Sequence, residues 1–161
     1  MKKCSLNEQL EISYPDSFTP LEKSEIMTDD KTIKAKWGVK DSGGELYIYI
    51  GWTGRLGLIG SLFITQRGIL RKFEKSCKRF LSDYSRGQSI QKKVFDKSAA
   101  GFAFSGKERG SGIEMTGEMI TVRLGGRIYF FKYITDNKDS FYCRQSLDLL
   151  ISSISLKAQA D

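Results

Sequence analysis

The chain of 161 residues has no histidine, only three cysteines, and no apolar run near the length of a membrane-spanning helix. Without imidazole, Ser–His and Cys–His nucleophile pairs are excluded, and so is nearly every ordinary zinc site. Cys4, Cys77 and Cys143 lie far apart and form no C-x-x-C pair, which removes zinc ribbons and thioredoxin-like motifs. A sparse, odd set of thiols fits a reducing compartment, so a cytoplasmic location without disulfides is expected. The start, Met1-Lys2-Lys3-Cys4-Ser5-Leu6, is basic but has no apolar stretch behind it, unlike an intact signal peptide. Cys4 leaves a second location open, that of a trimmed lipoprotein anchored through this thiol. The most apolar segment, Leu56 to Ile64, is broken by Gly57, Gly60 and Ser61 and is far shorter than the ~20 residues of a membrane span.

What is present suits one globular domain over residues 1–161, with an ordered core over about residues 8–156. Hydrophobic residues make up 40% and charged residues 28%, enough for a real core. Basic residues outnumber acidic ones 26 to 19, a formal net charge of +7. The charge is spread over both halves, which argues against a basic nucleic-acid tail.

Leu10 to Tyr14 alternates apolar and polar and meets Pro15-Asp16, a strand ended by a turn. Glu22 to Lys31 reads as a polar loop. Ile33, Ala35, Trp37 and Val39 alternate with Thr32, Lys34, Lys36 and Gly38, a strand with one face in the core. Asp41-Ser42-Gly43-Gly44 is a hairpin turn into Glu45–Trp52, a strand apolar on both sides. Thr53 to Ile64 reads as a Gly-rich loop. Ile69, Leu70, Phe73, Cys77, Phe80, Leu81 and Tyr84 then recur at steps of three and four, predicting a helix over Thr65–Tyr84 with Gly87 just past its end.

Four strands follow: Ser89–Phe95, Ala99–Ser105, Ile113–Arg123 and Ile128–Thr135, the third with a bulge expected near Gly117. The fourth is apolar on both sides and belongs in the middle of the sheet. Asp136 to Asp139 breaks it, a closing helix covers about Ser140–Ser155, and Lys157–Asp161 should fray. The expected fold is α+β: an antiparallel sheet of about six to seven strands with helices on both faces, an α/β/α sandwich.

This order resembles the Mog1/PsbP-like superfamily. The features that carry the resemblance are the strand ending in Tyr14-Pro15-Asp16 and the long helix after the third strand. To these are added the Ala99-Ala100-Gly101-Phe102-Ala103-Phe104 strand, the Gly125–Phe130 hairpin and the closing helix Leu147–Ile154. The resemblance implies non-enzymatic roles: binding a small GTPase, assisting photosystem assembly, or chaperoning secreted effectors in bacteria. No functional residue of the superfamily maps onto this sequence position by position.

Gly51 to Ser61 sits between strand and helix but lacks the Gly-Lys-Ser/Thr ending of a phosphate loop, and Gly54, Gly57 and Gly60 do not make G-x-G-x-x-G. Its apolar residues have two readings: core folded over the sheet edge, or a contact surface. In the second reading Leu56, Leu58, Ile59 and Phe63, with Arg67, Arg71 and Lys75 on the adjoining helix, contact a partner, and Leu58, Ile59 and Phe63 are at least partly exposed. The expected partner is a protein, an acidic one by charge, with an adaptor, assembly-factor or secretion-effector-chaperone role; a membrane surface is the alternative. Nucleic acid is not expected, because Phe73, Phe80 and Tyr84 lie on the core stripe and cannot stack on bases. The chain is expected to be a monomer or weak homodimer. No catalytic residue, cofactor site or metal ligand is identified. Glu114 and Glu118 share one side of a strand and read as solvent-facing charges, Asp29-Asp30 is too small alone for calcium, and Cys77 and Cys143 read as buried thiols.

Overall fold

The computed structural model describes residues 1–26, 34–136 and 138–157. The strands are β1 (Lys2–Ser5), β2 (Leu10–Tyr14), β3 (Thr19–Pro20), β4 (Ala35–Lys40), β5 (Leu46–Trp52), β6 (Leu81–Val94), β7 (Lys97–Glu108), β8 (Glu114–Leu124), β9 (Arg127–Thr135) and β10 (Ser155–Leu156). The helices are α1 (Leu58–Phe63), α2 (Gln66–Phe80) and α3 (Ser140–Ser152). Asp29, Asp30, Thr32, Ile33, Asn137 and residues 158–161, all parts of expected loops, strand or tail, lie outside the described residues.

Seven strands form one antiparallel sheet in the order β3-β4-β5-β9-β8-β7-β6, with β9 central as its two-sided apolarity requires. Period-two alternation sends its side chains to two separate cores. Leu46, Ile48, Ile50, Ile120, Val122, Tyr129, Phe131 and Tyr133 pack under α3 and β2 with Cys143, Leu147, Leu150 and Ile151. On the opposite face Phe102, Phe104, Met119, Ile128 and Phe130 pack under Ile69, Phe73 and Cys77 of α2. The helices therefore cover opposite faces of the sheet, as expected.

Four expectations need correction. Ordered structure begins before residue 8: β1 pairs with β2, and β10 pairs with the other edge of β2, in a separate three-stranded sheet. Cys4 lies in that sheet, half-buried, and all three cysteines are free thiols.

The second correction is the end of α2. It stops at Phe80, and Leu81 already pairs with Glu108. The first residue of the β7–β8 turn caps it: Arg109 N–H donates to the Phe80 carbonyl and Arg109 Nη2 to that of Lys78. The apolar spacing continues to Tyr84 because β6 is irregular there. Its pairing slips between Ser82 and Ser85, Asp83 has φ of 51°, and the bulge turns Tyr84 back toward the α2 core in helix-like rhythm. Gly87 consequently lies within β6 rather than past a helix end.

Third, β8 carries no bulge: it pairs without a break with both β7 and β9. Gly117 answers a close approach instead. A Cβ there would lie 2.3 Å from the Tyr133 carbonyl oxygen and 2.5 Å from the Phe104 ring. Fourth, uninterrupted alternation turns Glu118 inward beside Tyr133, so it is a buried carboxylate and not a solvent-facing one.

A candidate docking face at α1 and α2

The segment between β5 and α2 is tied down at both ends. Thr53 is buried; its N–H donates to the Ile128 carbonyl at 3.0 Å and its Oγ1 accepts from Ile128 N–H at 3.1 Å. Leu56 N–H donates to the Gly126 carbonyl at 2.7 Å. That carbonyl belongs to the β8–β9 turn, where Gly125 and Gly126 hold φ of 57° and 75°. At the far end Arg123 Nη2 donates to the Ile64 carbonyl, and Thr65 Oγ1 accepts from Gly68 N–H at 3.0 Å, capping α2.

Between these anchors the expected loop contains a short helix, α1, that buries none of its residues. Leu58 is 91% exposed, Ile59 74%, Leu62 76% and Phe63 81%. Positions 58, 59, 62 and 63 share one side of a helix. Leaving each such side chain in water forgoes about 1.5–3 kcal/mol of burial free energy. Leu56 behaves differently: it is half-buried and packs against the α2 core, so it anchors the segment rather than forming its tip.

On α2 the inner stripe leaves Arg67, Arg71, Lys72, Lys75, Lys78 and Arg79 exposed. The one acid of the helix, Glu74, is engaged, accepting from Tyr84 Oη and Arg86 Nη1, each at 3.1 Å. Among the described residues no carboxylate pairs with Arg67, Arg71 or Lys75. Between Leu46 and Phe73 the sequence holds no Asp or Glu at all, while Arg55, Arg67, Arg71 and Lys72 flank α1. Leu58, Ile59, Phe63, Arg67, Arg71 and Lys75 are thus all exposed on neighbouring elements. Leu62, absent from the sequence-based contact set, completes the tip; its i+4 spacing from Leu58 was the available signal.

Elsewhere most of the buried polar chemistry is paired within the fold, Arg127 Nε being buried without a hydrogen-bond partner. A cleft of about 560 Å³ between α3 and the sheet holds Glu118, Tyr133, Thr116 and Arg144. Glu118 Oε1 accepts from Arg144 Nε at 3.0 Å and Nη2 at 2.5 Å, an arrangement that fixes α3 against β8. Burial raises the Tyr133 phenol well above its ordinary range, so it stays protonated. Burial likewise pushes the Cys77 thiol up to about 12, the state of an inert core residue. Lys132 escaped the reading of β9 as apolar on both sides: it is buried, with Nζ 4.9 Å from the Tyr49 ring centre and 5.3 Å from that of Phe73. Burial lowers its ammonium to about 8. Among the described residues no group of three or more Cys, Asp or Glu could hold a metal ion, and no helix is long and apolar enough to cross a membrane.

No protein-family model matches the chain, and no curated protein is similar to it. Solved structures match its fold. Cyanobacterial PsbP (CyanoP) from Synechocystis superposes with a TM-score of 0.67 at 10% identity, over 97% of this chain and 92% of that one. A protein from Bacteroides thetaiotaomicron gives 0.60 at 11% identity, over 99% of this chain and 50% of its own length. LpqN of Mycobacterium tuberculosis, described as involved in cell envelope biogenesis, gives 0.54 at 12% identity, over 92% and 83%. The chain has the Mog1/PsbP-like fold; identities this low establish the fold and nothing finer.

Proposed function

We propose that the chain is a non-catalytic docking module that presents α1 and the outer side of α2 to a partner surface both apolar and anionic. One observation carries this reading: Leu58, Ile59, Leu62 and Phe63 stand in water on a segment anchored at both ends. Exposed apolar clusters of this kind mark contact sites, and the cations beside this one supply long-range attraction for a negative partner. Adaptor, assembly-factor and secretion-effector-chaperone roles, those the superfamily resemblance implies, each need a face of this type.

The test is size fractionation of a native extract containing wild-type chain or the double variant Leu58→Ser/Ile59→Ser. The wild type should migrate with a larger assembly or particle, and the variant, folded by circular dichroism, as the free chain. A wild type that migrates only as the free chain at its native level contradicts the reading.

A further inference from the structure

We propose that the occupant of this face is an anionic lipid surface, into which α1 inserts as an apolar wedge while the basic residues around it meet the headgroups. This rests on the docking reading above and names its partner.

Three features separate a lipid surface from an acidic protein. The first is shape. The four side chains are 74–91% exposed, so they form a protruding tip and not a flat or recessed patch. A protein partner must offer a pre-built recess matched to that tip, whereas an interfacial lipid layer accepts any protruding apolar group without complementarity. The second is charge. The stretch from Leu46 to Phe73 contains no acidic residue, and Arg67, Arg71 and Lys72 follow the tip closely, whereas Arg55 before it is paired with Glu8 at 3.9 Å. A carboxylate near the tip would be repelled by anionic headgroups; Glu74, the first one after the tip along the chain, is turned toward Tyr84 and Arg86, and Glu8, beside Arg55, is taken up by Arg127 and Arg55. The third is anchoring. Hydrogen bonds from Arg123, Thr53 and Leu56 fix the ends of the segment to the sheet, so the tip can enter a lipid layer without unfolding its base.

The expected strength is that of a peripheral contact. Each basic residue near an anionic surface contributes about fivefold in partitioning at moderate salt, and four apolar side chains add an insertion term that salt does not screen. A neutral bilayer should therefore bind weakly, and an anionic one reversibly and with salt dependence.

The test is co-sedimentation with vesicles of pure phosphatidylcholine and of phosphatidylcholine with phosphatidylglycerol, using the full chain. Wild type should bind the anionic vesicles at least tenfold more tightly than the neutral ones. Leu58→Ser/Phe63→Ser should lose tenfold or more on anionic vesicles, and so should Arg67→Glu/Arg71→Glu. All four positions are exposed, so both variants should keep the wild-type circular dichroism and melting point. No wild-type binding to anionic vesicles at low salt overturns the proposal, as does binding that Leu58→Ser/Phe63→Ser retains in full. If vesicles are ignored while the native-extract assembly still depends on Leu58 and Ile59, the lipid proposal fails, the docking reading stands, and an acidic protein is the partner.

Discussion

The two helical sides of the sheet use the same residue types in opposite ways. Under α3, the apolar stripe Cys143, Leu147, Leu150 and Ile151 is buried, and the charges are matched: Arg144 with Glu118, Lys92 with Asp148. Across the sheet, α2 buries Ile69, Phe73 and Cys77, but the segment leading into it leaves four large apolar side chains in water, and Arg67, Arg71 and Lys75 meet no carboxylate of the described residues. The α3 side is largely closed: Phe141 and Leu149 on its outer face stay 67% and 49% exposed, but they lie eight residues apart and not in one cluster. The α1–α2 side is open chemistry that folding alone does not complete.

That contrast is sharpest in stability. Leu147→Ala empties a fully packed site and should cost about 2–5 kcal/mol in denaturant unfolding. Gly117→Ala, which drives a Cβ against the Tyr133 carbonyl, should cost about 3 kcal/mol or more. Loss of less than about 1 kcal/mol for Leu147→Ala would break the distinction between a closed and an open side, and so small a loss for Gly117→Ala would show that the core beneath α2, against Phe104, is loosely packed.

Lys132 offers a subtler test, since among the described residues it is the one buried cation under α2. Its folded-state value near 8 lies below the ordinary 10.5, because burial disfavours the ammonium. The unfolded chain therefore binds the proton more tightly. The cost to the fold is complete below about pH 8 and disappears as pH rises toward 10.5. The Tyr49 and Phe73 ring faces return part of it. Lys132→Met should stabilise the chain by about 1–3 kcal/mol at pH 7. The gap between wild type and variant should narrow between pH 8 and 10.5; taking the difference removes most of the opposing titration of Cys77 and Tyr49, whose ionisation burial delays to about 12. A variant less stable than wild type at pH 7 would show that Lys132 is compensated.

The smallest effect belongs to α1 itself. Gly60→Ala should gain about 0.5–1 kcal/mol, because alanine favours a helix and its Cβ would rest 3.7 Å from Leu56 in ordinary contact. No gain in unfolding free energy would mean that α1 is not helical in the free chain.

The strands, their order through the meander and the two covering helices were legible because period-two and period-three-to-four patterns survive wherever one face is buried. Ile128–Thr135 announced its central place by apolarity on both sides. What misled were the places where tertiary contacts override local rhythm. A bulge at Asp83 made the start of β6 imitate the end of a helix. Gly117 suggested a bulge, but a ring and a carbonyl from neighbouring strands require it. β1 and β10 are held by pairing with β2 and are too short to show a pattern of their own. At the proposed docking face, the residue types were visible in the sequence, and their exposure was not decidable from it: Leu56 turns inward and Leu58 outward two residues later.

The central claim is that the α1 tip belongs to contact and not to the fold. Denaturant unfolding of Leu58→Ser/Ile59→Ser beside wild type tests it most directly. The account predicts the same slope and an unfolding free energy within about 0.5 kcal/mol of wild type, as for other exposed substitutions. A loss of about 2 kcal/mol or more, the signature of side chains buried within one chain, would contradict it.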